Sequence, residues 1–159
     1  MIGLSIIAAL LFVVMLIVVI KKCGVPEMVS SIYYLLGKSG WVFQVVMVAV
    51  GMLMLMCLLD CEKGVQCLAF LACGGLMFVG AAPRFLEQDE RAVHKSAAIV
   101  SAVASVGWCL TVDWRIVVAL SGWYGVYWVC KDDDSHPWLM AEVTAIWMVL
   151  LTYWSVIEC

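Results

Sequence analysis

Along this chain apolar residues arrive in long unbroken runs, and polar residues fall in short clusters between them. Crossing hydrocarbon takes about 20 largely apolar residues, whereas a helix packed on a soluble core keeps a polar face. Six runs meet the first description: Ile2 to Ile20, Trp41 to Leu59, Val65 to Ala82, Val93 to Val112, Arg115 to Cys130 and Pro137 to Ile157. The fifth is short, so at about 1.5 Å per residue it needs flanking Trp114 or local bilayer thinning to span. The pattern predicts an all-α fold, a polytopic transmembrane helix bundle forming one domain over residues 1–159. No repeat, low-complexity stretch or soluble domain interrupts it. The first run lacks the basic leader of a signal peptide and no small-residue cleavage site follows it, so it reads as a retained first helix.

The first connection carries a pattern of its own. Pro26 and Glu27 suit a helix start, Gly37 suits a C-terminal cap, and Met28, Ile32, Leu35 and Leu36 share one face between them. This spacing predicts a short helix lying in the membrane interface, either anchoring the loop or helping to bind a lipid or partner.

Charge orders the segments across the bilayer. The first, third and fifth connections hold Lys21, Lys22, Lys38, Arg84, Arg91, Lys95 and Lys131, and the second and fourth hold only Lys63 and Arg115, seven against two. Basic residues stay on the cytoplasmic side, so the odd connections are expected there and both termini outside, as in a bacterial inner-membrane protein. Trp41, Trp128 and Trp138 then fall at the inner interface, and Trp114 and Trp154 at the outer one.

Composition agrees. Of 159 residues 66% are hydrophobic and 13% charged, against roughly 45–50% and 25% in soluble domains. A soluble fold of this length buries about 70% of its surface, too little to hide that excess. The net charge of −3 and the absence of a Lys/Arg stripe exclude a nucleic-acid partner. Eight cysteines without C-x-x-C spacing read as small buried hydrophobes. Cys57, Cys61 and Cys67 gather near Asp60 and Glu62, where three free thiols and an oxidised Cys61–Cys67 pair both stay open.

Candidate chemistry concentrates where polar groups meet the apolar runs. In the segment Arg84 to Lys95, Glu87 and Arg91 stand four apart, as do Glu90 and His94, so each pair shares a helical face. Glu90 in that register would favour the His94 imidazolium; the structural alternative is acids complementing a helix dipole and bases marking the membrane edge. Glu142 is the sharper anomaly, about 7.5 Å inside the last run. A carboxylate there costs a few kcal/mol unless paired, protonated or hydrated, and His94 and Arg84 are its candidate partners. The acidic run Asp132, Asp133 and Asp134 caps that last run, with Ser135 and His136 after it. His94 and His136 are the histidines a zinc-dependent hydrolase would use, but neither H-x-x-x-H nor H-E-x-x-H spacing is present, so no metal and no cofactor is assigned. Ala97, Ser101, Ser105 and Cys109 recur every fourth position as a ridge for close helix packing or the lining of a pore. Gly74 and Gly75, and Ser121 and Gly125, give further small-residue notches.

Two stretches carry a resemblance: Pro26-Glu27-Met28-Val29-Ser30-Ser31-Ile32-Tyr33-Tyr34, and Gly80-Ala81-Ala82-Pro83-Arg84 leading to Val93-His94-Lys95-Ser96-Ala97. Together they resemble small six-helix membrane proteins of the Frag/DRAM/Sfk type and related bacterial families. The resemblance implies a six-helix fold without established enzymatic activity, and a cytoplasmic-side polar cluster at Ser30, Tyr33, Glu90 and His94. Those families place an aspartate in the first loop, where this chain has Ile32 after Ser31. The functional expectation is a non-enzymatic multi-pass protein that binds a lipid, small ligand or partner subunit, in a homo-oligomer or with another membrane protein. Ser30, Tyr33, Arg84, Glu90, His94 and Glu142 are its candidate site residues. A proton or ion relay through Glu142 and His94 is the alternative from another class, though between Glu142 and Glu158 the last run offers only Thr144, Thr152, Tyr153 and Ser155 as a path.

Overall fold

The computed structural model describes residues 1–84, 86–132 and 135–157, with Asp89 described by its backbone alone. Asp133, Asp134 and Glu158, which figured in the capping and relay expectations, lie outside the described residues, as does the Asp89 side chain. Within the described residues the chain is all-helical, without a strand. The helices are α1 (Ile2–Cys23), α2 (Ile32–Leu35), α3 (Trp41–Asp60), α4 (Gln66–Ala81), α5 (Gln88–Cys130) and α6 (Pro137–Ile157). Those beginning at Ile2, Trp41, Gln88 and Pro137 are long and apolar enough to cross a membrane, and α4 is a shorter apolar helix.

Local sequence explains the boundaries. Lys21 and Lys22 extend α1 past its apolar run, placing positive charge at the negative end of the helix dipole. Gly24 then stops it at φ +89°, a conformation that costs a residue without Cβ nothing. Helix α5 starts five residues before the apolar run at Val93, because Gln88 to Arg91 add a polar helical turn ahead of it.

The expected fourth connection shrinks to one residue. Asp113 is extended at φ −147° and ψ 94° within α5. Its Oδ1 accepts the Arg115 N–H at 3.0 Å, so it caps the second leg of the helix as aspartate does at an N-terminus. The second leg folds back along the bundle. Before the kink, Trp108 Nε1–H donates to the Lys63 carbonyl at 3.1 Å and Thr111 Oγ1 accepts the Val65 N–H at 3.3 Å. Eleven residues after the kink, the Tyr124 hydroxyl instead reaches the Pro137 carbonyl, at 3.2 Å, near the opposite end.

Two ends of the bundle follow from such bonds. At one, the Leu86 N–H donates to the Tyr34 hydroxyl and the Leu139 N–H to the Glu27 carbonyl, each at 3.0 Å, which gathers the first, third and fifth connections. At the other lie the α3–α4 turn, Asp113 and Met1, whose carbonyl accepts from Cys57 Sγ at 3.5 Å. The seven-to-two division of Lys and Arg is therefore a division between the two ends of one molecule.

Helix α1 packs on α3, α3 on α4, α4 on α5 and α5 on α6, and α6 returns to α1. Trp154 Nε1–H donates to Ser5 Oγ at 2.9 Å across that last seam. Close approach of α4 and α5 depends on Gly75, where a Cβ would lie 2.8 Å from the Ala97 carbonyl oxygen and 2.8 Å from Ser101 Cβ. The Ser101 hydroxyl donates to the Ala72 carbonyl at 2.7 Å on the same seam. Phe12, Phe43, Met47, Leu58, Trp108 and Tyr153 fill the interior, while Leu10, Val14, Val45, Phe70, Phe78 and Val126 face outward. Apolar side chains on both sides of a helix are what a lipid solvent permits.

The first loop differs from a single flat helix. Two 3₁₀ turns, Val29–Ser31 and Gly37–Ser39, flank the one-turn helix α2. Ile32 of the expected face is fully buried and Leu36 packs on the core, but Leu35 is exposed and Val29 and Ser30 are buried with them, so the loop plugs the end of the molecule with a face only partly the expected one. Ser31 competes with helical hydrogen bonding here, because its hydroxyl donates to the Met28 carbonyl at 2.7 Å.

Candidate functional site

Inside the ring of helices lies a cavity of about 400 Å³. Its walls are almost wholly apolar: Met47, Val50 and Met54 from α3, Leu76 and Val79 from α4, and Ile146 and Val149 from α6. Alanines at 98 and 102 of α5 and 141 and 145 of α6 leave the space, because side chains of that size at helical spacing do not fill the gap between the two helices. Ile99 and Trp138, 63% exposed each, stand on its rim, so the cavity opens through the side of the bundle.

Five polar side chains interrupt this lining: Ser30, His94, Ser101, Ser105 and Glu142. Ser30, His94 and Glu142 belong to the end of the bundle rich in Lys and Arg. Glu142 lies one turn inside α6, and its Oε2 accepts the Val29 N–H at 2.5 Å. The buried loop amide thus has a partner, and the carboxylate is tied to the plug. His94 is 6% exposed and meets the Ala82 carbonyl through Nδ1 at 2.8 Å. A carbonyl only accepts, so Nδ1 carries a proton in that contact and the ring orientation is fixed.

Three of the six residues singled out from sequence therefore share one cavity, and the other three do not line it. Arg84 Nη2 meets Glu90 Oε1 at 2.6 Å and its Nη1 meets Glu87 Oε2 at 3.1 Å at the surface, outside the cavity lining. Glu87 and then Glu90 hold the Arg84 guanidinium more firmly protonated than usual. Glu90 also accepts the Arg84 N–H at 3.0 Å, closing the α4–α5 turn on itself. Tyr33 packs edge-on against Tyr34, ring centroids 5.3 Å apart, and against Gly40. The expected partner of Glu142 was a side chain, His94 or Arg84; the structure supplies a backbone amide from the loop.

Ser101 and Ser105 were legible only as part of a small-residue ridge. Ala97 and Cys109 of that ridge are buried in packing, and the two serines turn toward the cavity. Cys23, Cys57, Cys61, Cys67, Cys73, Cys109 and Cys130 are free thiols, Cys61 and Cys67 included. His136 is half-buried beside the start of α6, and among the described residues no three His, Cys, Asp or Glu side chains gather as a metal site. Comparison with protein-family models, with curated proteins and with solved structures finds no match to the chain.

Proposed function

We propose that this is a six-span membrane protein that binds a membrane lipid or another small amphipathic molecule within the bundle, without performing chemistry on it. The crossings are α1, α3, α4, the two legs of α5, and α6. The end rich in Lys and Arg faces the cytoplasm, and both termini lie on the opposite side of a bacterial inner membrane. The observation that carries this reading is the cavity itself: apolar walls, a lateral opening and a cluster of Ser30, His94 and Glu142 at one end. Binding sites for small molecules have that composition, mostly apolar with a few polar groups that fix orientation. The first loop acts as the floor of the site, tied to α6 through Glu142.

Native mass spectrometry of the full chain released from detergent tests the proposal. A bound small molecule is expected to persist with wild type and with Val14→Phe on the outer face. It is expected to be lost when Ala145→Phe fills the cavity. Equal occupancy in Ala145→Phe and wild type, or no bound molecule in any preparation supplied with membrane lipid, overturns it.

A proton relay is the second reading, favoured by one observation: the two ionisable side chains His94 and Glu142 face the same space. Proton flux into vesicles reconstituted with the protein, abolished by Glu142→Gln, is its signature, whereas a binding protein conducts nothing.

A further inference from the structure

The polar end of the cavity is asymmetric in charge. Among the described residues that line it there is a carboxylate, Glu142, and no Lys or Arg. Arg84, in the turn before α5, is engaged by Glu87 and Glu90, and Lys95, one turn before the rim residue Ile99 on α5, is exposed and outside the lining. An ionised carboxylate has about four acceptor positions. The described structure fills one of them, with the Val29 N–H on Oε2. Glu142 is half-buried, and its side chain forms part of the cavity surface.

An anionic headgroup placed here would meet that carboxylate with no lysine or arginine in the lining to offset it, in surroundings that screen charge poorly. A headgroup bearing N–H donors or a positive charge would do the opposite, filling acceptor positions that hydrocarbon leaves empty. The walls agree with this choice. Met47 and Met54 contribute polarisable thioethers, and Trp138 places an indole at the rim, a ring face that attracts cations. The serines at 30, 101 and 105 add hydroxyl groups to the lining without adding a charge.

We propose that the cavity selects a lipophilic amine, an ammonium or amino headgroup on a single apolar chain, with Glu142 as the group that receives it and the alanine-lined gap between α5 and α6 as the channel for the chain. This rests on the reading of the cavity as a binding site, and sharpens it from amphiphiles in general to one sign of headgroup.

The test uses the full chain in nanodiscs of zwitterionic lipid and three probes with one tail: dodecylammonium, dodecanol and dodecanoate. Binding is followed by displacement of a fluorescent alkyl probe. Wild type is expected to bind dodecylammonium at least about tenfold more tightly than dodecanoate, with dodecanol between them. Glu142→Gln is expected to bring all three within about threefold of one another while dodecanol binding persists. Glu142→Asp, which keeps the charge on a shorter arm, restores part of the preference and guards against a simple folding defect. If dodecanoate binds wild type as tightly as dodecylammonium, or Glu142→Gln keeps the preference, the charge assignment falls and the cavity remains a binding site. If none of the three binds wild type, the broader reading falls as well.

Discussion

Replacing Glu142 separates two things that one side chain does. Its Oε2 holds the buried Val29 amide, so Glu142→Ala leaves that N–H without a partner, at a cost of about 1–3 kcal/mol. Glutamine retains an acceptor there. The expected outcome is a clear fall in the thermal unfolding midpoint of detergent-solubilised Glu142→Ala and a smaller one for Glu142→Gln, read against Val14→Phe on the outer face. Equal midpoints for Glu142→Ala and wild type would remove the loop tie from the account. Glu142 was legible in the sequence because an ionisable group inside an apolar run has to be explained by a partner or a task. Its actual partner was not legible, since any backbone amide of a neighbouring loop can serve and no residue type marks which. Arg84 and Glu90 show the converse. Acids and bases at a membrane edge look the same in sequence whether they pair with one another or line a site, and here they pair with one another.

Helices rest on the same distinction between what spacing shows and what only packing decides. The apolar runs marked the long helices to within a few residues, because a run long enough for hydrocarbon also fixes where a helix begins and ends. The turn at Asp113 was legible as an interruption between two charged residues, Asp113 and Arg115, but not as a one-residue kink, which depends on the aspartate capping the following leg. Asp113→Ala is therefore expected to destabilise the protein by about 1 kcal/mol, and Asp113→Asn, an equally good cap, by much less. Unfolding midpoints of the two variants measured side by side decide this. The neighbouring glycines of α4 make a sharper contrast. A methyl at Gly75 runs into α5 backbone atoms, 2.8 Å from the Ala97 carbonyl oxygen and 2.9 Å from the Ser101 nitrogen, whereas one at Gly74 meets nothing within 4 Å. Gly75→Ala should lower stability by roughly 1–3 kcal/mol through overpacking. Gly74→Ala should be neutral or slightly stabilising, since alanine suits a helix better. Sequence alone does not distinguish the two, as both sit in the same apolar run.

Taken as one object, the molecule divides its basic residues between two ends, and native cysteines stand at both. Cys23 and Cys130 are exposed at the end rich in Lys and Arg, and Cys67 is exposed at the other. In variants keeping one of these thiols each, a membrane-impermeant maleimide is expected to label Cys67 in intact spheroplasts, and Cys23 and Cys130 only after permeabilisation. The reverse pattern would invert the molecule in the bilayer. The bundle and its two ends were legible from hydropathy and charge; the cavity was not, because empty space arises from how alanine-bearing faces of distant helices happen to meet. Its opening through the side of the bundle, past Ile99 and Trp138, sets how anything reaches it. A molecule arriving by that route first dissolves in the membrane and then waits for the surrounding acyl chains to part. Exchange should therefore quicken in loosely packed, unsaturated bilayers and slow in tightly ordered ones, while stirring or viscosity of the aqueous phase leaves it unchanged.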